Sequence, residues 1–317
     1  MKISEIVALG LWPQSKKTTT KKGISQLEDL GYNLFYIGKN ADLYTCPGVE
    51  PKVLLVRSDR CSVFDIPLNL EIEGKGVSQT AISNNGAAFA KEAGIRTAIL
   101  SETVDPSLAI APRCQLMELC KPLEAEIDGD VVQFELIFRN YLTGSLFDAC
   151  QNGLDPYGLN LPSGLKQWHK FETPIFTPTT KGIKDEPLNS DTVRIKFPEI
   201  ASSLENLFKD FTEFAYARGI IVVDTKFEIF VNQKGEWVLG DEVLTPESSR
   251  FISKEDFDSG NYISMDKQIL RDFGKANNWK ENSKALKAGE KLDVDVPQTL
   301  KDKILSGYTT ILNRLSK

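Results

Sequence analysis

Two largely apolar runs, Ile220 to Val231 and Glu236 to Glu242, flank the turn Asn232-Gln233-Lys234-Gly235 and read as a β-hairpin. Asp224, Lys226, Glu228, Asp241 and Glu242 are crowded into it. A turn symmetric about Gln233 and Lys234 would pair Val231 with Glu236, Glu228 with Leu239, and Lys226 with Asp241. Side chains alternate along a strand, so Lys226, Glu228, Leu239 and Asp241 would share a face. Glu228 and Asp241 would then be diagonal neighbours, about 7–8 Å apart at the backbone. Two carboxylates and a lysine at that spacing could hold Mg²⁺. They would do so best against phosphate oxygens, since Mg²⁺ takes few protein ligands. A cross-strand Lys226–Asp241 ion pair on a wet sheet face accounts for the spacing equally well.

Three further segments could grip anions. Arg139-Asn140-Tyr141-Leu142-Thr143-Gly144-Ser145 follows a strand-like run, Phe134 to Phe138. An arginine there supplies a planar fork, and a Gly-Ser turn supplies backbone N–H groups. Pro246 to Arg250 and Thr177 to Lys181 have the same character. Gly74-Lys75-Gly76 lacks the spacing of a Walker A loop, and no GxGxxG follows a strand. Nucleotide binding, if present, uses neither fingerprint.

The elements that must position these groups are short strands and a few helices. Leu34 to Ile37 and Asp42 to Thr45 flank Gly38-Lys39-Asn40-Ala41, a hairpin with a Gly-Lys tip. Val53 to Val56 and Thr97 to Leu100 are β-like, and Asp65 to Ile72 alternates loosely. Val77 to Ala93 reads as a helix closed by Gly94. Leu123 to Phe138 holds two strands around Asp128-Gly129-Asp130, and Asn152 to Lys170 is loop-rich. Leu204, Leu207, Phe208, Phe211, Phe214 and Ala215 recur at helical spacing. Leu300, Ile304, Tyr308, Ile311 and Leu315 line a final helix whose first turn suits Pro297.

Composition narrows the class of protein. The 317 residues carry 38 basic and 44 acidic side chains, a net charge of −6. That balance argues against a nucleic-acid or anionic-membrane binder. The basic run Lys16 to Lys22 has no interleaved aromatics and reads as a solvated loop. His169 is the single histidine, which excludes polyhistidine metal sites and HExxH chemistry. Five cysteines without CxxC spacing read as reduced thiols, and Glu5 breaks up any signal-peptide core between Met1 and Trp12. No run is long enough to span a bilayer. A cytoplasmic location is expected.

Taken in chain order, these segments resemble phosphoribosylaminoimidazole-succinocarboxamide synthases, the SAICAR synthetase family. The likeness rests on Gly38-Lys39, on Ser58-Asp59-Arg60-Cys61-Ser62-Val63-Phe64-Asp65, on Gly74-Lys75-Gly76 and on Arg139 to Ser145. It continues through Pro174 to Lys181, Asp224-Thr225-Lys226-Phe227-Glu228, Gly240-Asp241-Glu242 with Thr245 to Phe251, and Asp266-Lys267-Gln268 with Arg271-Asp272. The resemblance implies an ATP-dependent, Mg²⁺-requiring amide ligase of purine biosynthesis. Such an enzyme joins the carboxylate of carboxyaminoimidazole ribonucleotide to the amine of L-aspartate through an acyl phosphate. It implies an α+β fold of two lobes with ATP in the cleft. Residues 1–117 would form a small antiparallel-sheet unit over the phosphates, and residues 118–317 a larger α/β unit. Gly38 and Lys39 would cover the ATP phosphates, and Lys181 would sit at the transferring phosphoryl group. Glu228 and Asp241 would bind Mg²⁺ and nucleotide, with Lys181 and Asp241 catalytic. Arg139, Ser145 and Arg250 would hold the ribonucleotide, Asp65 its ribose, and Asp185 the substrate or aspartate.

Two positions depart from the family pattern: Ala41, where a second basic residue is usual, and Lys184, where a histidine is usual. A diverged ligase using another amine or acid, or a catalytically silent nucleotide-binding relative, would share the remaining motifs. ADP release with an amine other than aspartate would mark the first, and binding without turnover the second.

Overall fold

The computed structural model describes residues 24–48, 52–102, 104–182, 185–287 and 289–316. The Lys16–Lys22 run, the Met1–Trp12 segment and Lys184 lie outside these. Helix α1 (Ile24–Asp29) leads into strands β1 (Asn33–Ile37), β2 (Ala41–Thr45) and β3 (Lys52–Arg57). A tight hairpin follows, β4 (Arg60–Val63) and β5 (Ile66–Glu71), and then helix α2 (Lys75–Glu92). Strand β6 (Cys114–Glu118) completes a four-stranded antiparallel sheet ordered β1-β2-β3-β6. Its own core is small: Leu27, Tyr44, Leu54, Val56, Ile110 and Cys114.

The rest of the chain builds a larger antiparallel sheet. Its strands are β7 (Lys121–Pro122), β8 (Glu124–Ile127), β9 (Asp130–Tyr141), β10 (Lys170–Phe176), β11 (Thr179–Thr180), β12 (Ile220–Val231), β13 (Trp237–Gly240) and β14 (Ser249–Ser253). The long β9 and β12 run antiparallel at its centre, with Asp224 opposite Arg139 and Glu228 opposite Glu135. The helices are α3 (Gly144–Gln151), α4 (Ser190–Lys196), α5 (Pro198–Tyr216), α6 (Lys254–Asp258), α7 (Gln268–Ala276), α8 (Trp279–Asn282) and α9 (Gln298–Leu315). Helix α5 buries Leu204, Leu207, Phe208, Phe211 and Ala215 of the predicted apolar stripe, and Phe214 packs half-buried against the same core. Phe138 stacks on Phe176 and Phe208, and Phe227 tilts against it. Burying each such side chain is worth roughly 1.5–3 kcal/mol.

One apolar cluster runs from Cys61, Leu70 and Ile82 through Phe138 and Phe208 to Tyr308 and Leu315. The β4–β5 hairpin and α2 therefore pack with the large sheet. Helix α9 lies along α2 and buries Ile304, Tyr308, Ile311 and Leu315 of the predicted face, with Leu300 half-buried at its start. Helix α2 approaches the large sheet through Gly86, where a Cβ would stand 2.2 Å from the Val243 carbonyl oxygen. Only a residue without a side chain fits there.

Several expectations are refined. Thr97 and Ile99 form isolated bridges to Leu239 and Met117, stitching β13 to β6 instead of forming a strand. Gly144 to Gln151, for which no element was expected, forms helix α3 ahead of the loop-rich stretch. Pro297 is the residue before α9, with ψ 143°, not part of its first turn. The five cysteines are free thiols. Among the described residues, no helix is long and apolar enough to cross a membrane.

Candidate functional site

Strands β12 and β13 pair one residue out of the expected register. Glu228 lies opposite Gly240, and Val231 opposite Trp237. The connection is Asn232–Glu236, one residue longer than a symmetric turn. The Asn232 Oδ1 atom accepts from the backbone N–H groups of Lys234 and Glu236, both at 3.0 Å, and Gly235 is left-handed. A one-residue slip moves a side chain to the other sheet face. The strand, however, stops at Gly240, and Asp241 is left-handed with φ 54°. Its charge bears on Lys181, Lys226 and Tyr36. Asp241 thus reaches the Glu228 side by a backbone kink, not by strand alternation.

Lys226 does not pair with Asp241. Its Nζ bonds Glu135 at 2.7 Å and Glu228 at 2.9 Å. The other Glu228 oxygen accepts from Lys181. Lys181 follows β11, and its backbone N–H donates to Gln133 at 2.7 Å, which seats it at the end of β9. Burial pushes the Lys181 ammonium below the usual lysine range, against the pull of Asp241. Burial acts on Lys226 in the same direction, but Glu135 outweighs it and raises the group. Asp185 is raised by burial and by the like charges of Glu135 and Asp65.

The Gly38–Lys39 turn closes over this group. Lys39 Nζ bonds Asp65 at 2.7 Å. Asp65 and Phe64 form the two left-handed positions of the β4–β5 turn, with φ 62° and 52°. Such a two-residue turn is the type I′ geometry that matches strand twist. Burial would raise the Asp65 carboxyl, but Lys39, Lys267 and Lys226 together hold it low. From beneath, Arg60 Nη2 donates to the Gly38 carbonyl at 3.0 Å and pairs with buried Asp42. Ala41 opens β2 opposite Arg57.

A second group lies further along β12. Asp224 sits between Arg139 of β9 and Arg250 of β14, which flank it in register. Arg139 donates to it at 2.8 Å and to Thr177 Oγ1 at 2.8 Å. Arg250 donates from Nε at 2.9 Å and again from Nη2. Burial would raise the Asp224 carboxyl, yet the two guanidinium groups hold it below the usual carboxylate range. The Arg271 charge acts on it too, from α7. Each guanidinium has five N–H donors, so the forks keep capacity beyond these bonds. Arg250 lies over Gly144, where a Cβ would stand 3.0 Å from Nη1 and where φ is 61°. Ser145, exposed, lies in the first turn of α3, whose N-cap Thr143 makes no side-chain cap bond; a helix N-terminus suits an anion.

Asp224, Lys226 and Glu228 alternate onto one face of β12, so the two groups share a ruler. From 224 to 228 is about 13 Å of strand. One end gathers Arg139, Ser145 and Arg250, and the other gathers Gly38, Lys39, Asp65, Lys181, Asp185, Glu228 and Asp241. Sequence reasoning missed Glu135, Lys267 and Arg271. Glu135 carried a signal, as the one charge inside the apolar run Phe134 to Phe138. The other two come from α7 and the residue before it; they stand in the Asp266-Lys267-Gln268 and Arg271-Asp272 motif but are given no role there. His169, the lone histidine, rests edge-on against Phe171.

No three His, Cys, Asp or Glu side chains form a metal-holding group among the described residues. Glu228 and Asp241 are two carboxylates on one side of the site. That set suits a cation that completes its shell with phosphate oxygens, as Mg²⁺ does.

Comparison with known proteins gives the family of the chain. The family model described as SAICAR synthetase matches residues 34–286. The phosphoribosylaminoimidazole-succinocarboxamide synthase of Desulfotalea psychrophila is 33% identical over 270 residues, 80% of this chain and 87% of that one. The enzyme of the same name from Histophilus somni is 35% identical over 311 residues, 92% of this chain and 100% of its own length. The solved SAICAR synthase of Saccharomyces cerevisiae, complexed with SAICAR, superposes with a TM-score of 0.70 at 26% identity, covering 95% of this chain and 98% of that one. The chain belongs to the SAICAR synthetase family.

Proposed function

We propose that this chain joins carboxyaminoimidazole ribonucleotide to L-aspartate, using ATP and Mg²⁺ and releasing ADP and phosphate. The observation that carries the reading is the shared face of β12. It puts an arginine-lined anion end about 13 Å from a lysine and carboxylate end. The ribonucleotide phosphate sits on Arg139, Arg250 and the α3 N-terminus at Ser145, with Asp65 near the ribose. The ATP phosphates lie under Gly38 and Lys39, with Lys181 at the transferred phosphoryl group. Glu228 and Asp241 would hold Mg²⁺, which when bound neutralises phosphate charge. The 1–117 unit covers the phosphates, and the 118–317 unit carries most of the remaining contacts.

A carboxylate is a poor electrophile at neutral pH, so a leaving group must be installed first. The imidazole carboxylate oxygen attacks the γ-phosphorus, ADP departs, and an acyl phosphate forms. The neutral amine of aspartate, placed with help from Asp185, then attacks the acyl carbon; phosphate leaves with the C–O bond electrons, and the nitrogen releases one proton to solvent. Lys181 gives up its bond to Glu228 to face the incoming phosphates. Catalysis here is positioning and neutralisation of crowded charge. Soluble phosphorylated substrates suit the expected cytoplasmic location.

The test is ADP release with ATP, Mg²⁺ and the ribonucleotide, with and without L-aspartate. Aspartate-dependent ADP with a succinocarboxamide product is expected. Silence with aspartate but turnover with another amine would replace this reading with a diverged ligase.

A further inference from the structure

Glu247 lies between β13 and β14 and has no role in the site described above. Its side chain is 4% exposed. Four donors converge on it: Lys75 Nζ at 3.1 Å, Lys267 Nζ at 2.9 Å, Tyr308 Oη at 2.8 Å and Asn40 Nδ2 at 3.1 Å. Three belong to the packed interior, at the start of α2, just before α7, and on α9. The fourth does not. Asn40 belongs to the turn that carries Gly38 and Lys39.

Two ammonium groups already neutralise the Glu247 carboxylate, so the amide bond from Asn40 is not needed to keep that charge buried. What the bond adds is a fixed place for the turn. On its other side the Asn40 carbonyl accepts from Ser58 N at 2.8 Å and Ser58 Oγ at 2.7 Å, and its Oδ1 accepts from Ser62 at 3.3 Å. The turn is thus held by its own sheet and by the loop that follows Asp241. We propose that Glu247 is a positioning residue for the nucleotide, fixing the Gly38–Lys39 turn through Asn40 relative to Asp241. Segment 241–247 then carries both Asp241 and the strut for the turn opposite it. This rests on the reading that the turn covers the ATP phosphates.

Asn40→Ala removes the strut and leaves Glu247 with Lys75, Lys267 and Tyr308, so the fold should persist. A hydrogen bond to a charged group is worth roughly tenfold or more in binding. KM for ATP should therefore rise about tenfold, with KM for the ribonucleotide unchanged. Amide hydrogen exchange across 38–42 should quicken. Glu247→Gln should raise KM for ATP in the same direction and lower Tm as well, since two buried lysines lose their counter-charge. The double variant should be no worse for ATP than the worse single one. Unchanged exchange at 38–42 in Asn40→Ala, with an unchanged KM for ATP, would overturn the proposal. Lys39→Ala separates the two ideas. If it leaves KM for ATP unchanged, the phosphate-covering reading fails, and the strut is judged on the exchange rates alone.

Discussion

Asp241 combines a left-handed backbone with a charge that bears on Lys181 and Lys226. The kink, not the strand, aims it, and the proposed reading gives it a role in chemistry. Asp241→Asn should leave the fold intact and cut kcat by about 100-fold or more, the scale seen when one group is removed from a preorganised charge site. Near-normal turnover would strike Asp241 from the metal site. Arg250 is the complementary case. Asp224 keeps Arg139 when Arg250 is lost, so the strand stays neutralised. Arg250→Ala should raise the ribonucleotide KM about tenfold to a hundredfold, the worth of a charge-assisted hydrogen bond, and leave KM for ATP alone. An unchanged ribonucleotide KM would remove it from the substrate site. Asp241 was legible as a charge in a largely apolar run, and Arg250 as the arginine that ends the polar segment Pro246 to Arg250. What no reading of the chain could show was their partners. Asp224 lies between arginines from strands 85 and 26 residues away.

At the scale of elements, the β12–β13 hairpin shows where sequence reading stops. Two apolar runs around a polar turn are visible in the residue types. The register is not, because it depends on whether Glu236 belongs to the turn or the strand. Asn232 settles that by capping two N–H groups with one side chain. Helix α3 was hidden for a different reason: eight residues with one buried side chain make no stripe. The long helices were legible because their buried faces repeat over several turns. Helix α2 also does something its spacing does not show. Through Gly86 its backbone abuts the carbonyl of Val243, two residues past Asp241. Gly86→Ala should push that loop away. We expect a loss of about 1–3 kcal/mol, the cost of overpacking, read by urea unfolding, together with a lower kcat. Wild-type stability would mean that the helix can shift freely there.

For the molecule as a whole, buried carboxylates set the response to acid. Burial would raise Glu247, Asp224 and Asp59. Lys267 and Lys75, Arg250 and Arg139, and Arg113 respectively hold them low instead. A group depressed in the folded state contributes stability above its unfolded pKa, about 4, and loses it as pH falls. Asp266 has the opposite sign. Burial raises it to about 6, against hydrogen bonds from Ser264, Phe251 and Gln268. Its contribution is full at low pH and is lost as pH rises through about 6. Asp42 and Asp185 are raised by burial as well, but Asp65 and Glu205 join the carboxylates held low, and the depressed groups outnumber the raised ones, so Tm should drop steeply below about pH 4. Asp224→Asn should shallow that acid limb; an unaltered limb would mean that the Arg139–Asp224–Arg250 cluster is not a source of it.

The mutual pairing inside the site also governs how substrates arrive. Lys39, Lys181, Lys226 and Lys267 face Asp65, Glu135, Asp185, Glu228 and Asp241, while Arg139, Arg250 and Arg271 are met by Asp224, Asp266 and Asp272. Seen from a Debye length away, such a site has almost no field, and the surrounding chain carries −6. Anionic substrates are therefore not drawn in from a distance, and attraction begins when ammonium and guanidinium groups exchange partners at contact. Stopped-flow association rates for ATP should stay flat or climb as salt is added, where an electrostatically steered enzyme would slow.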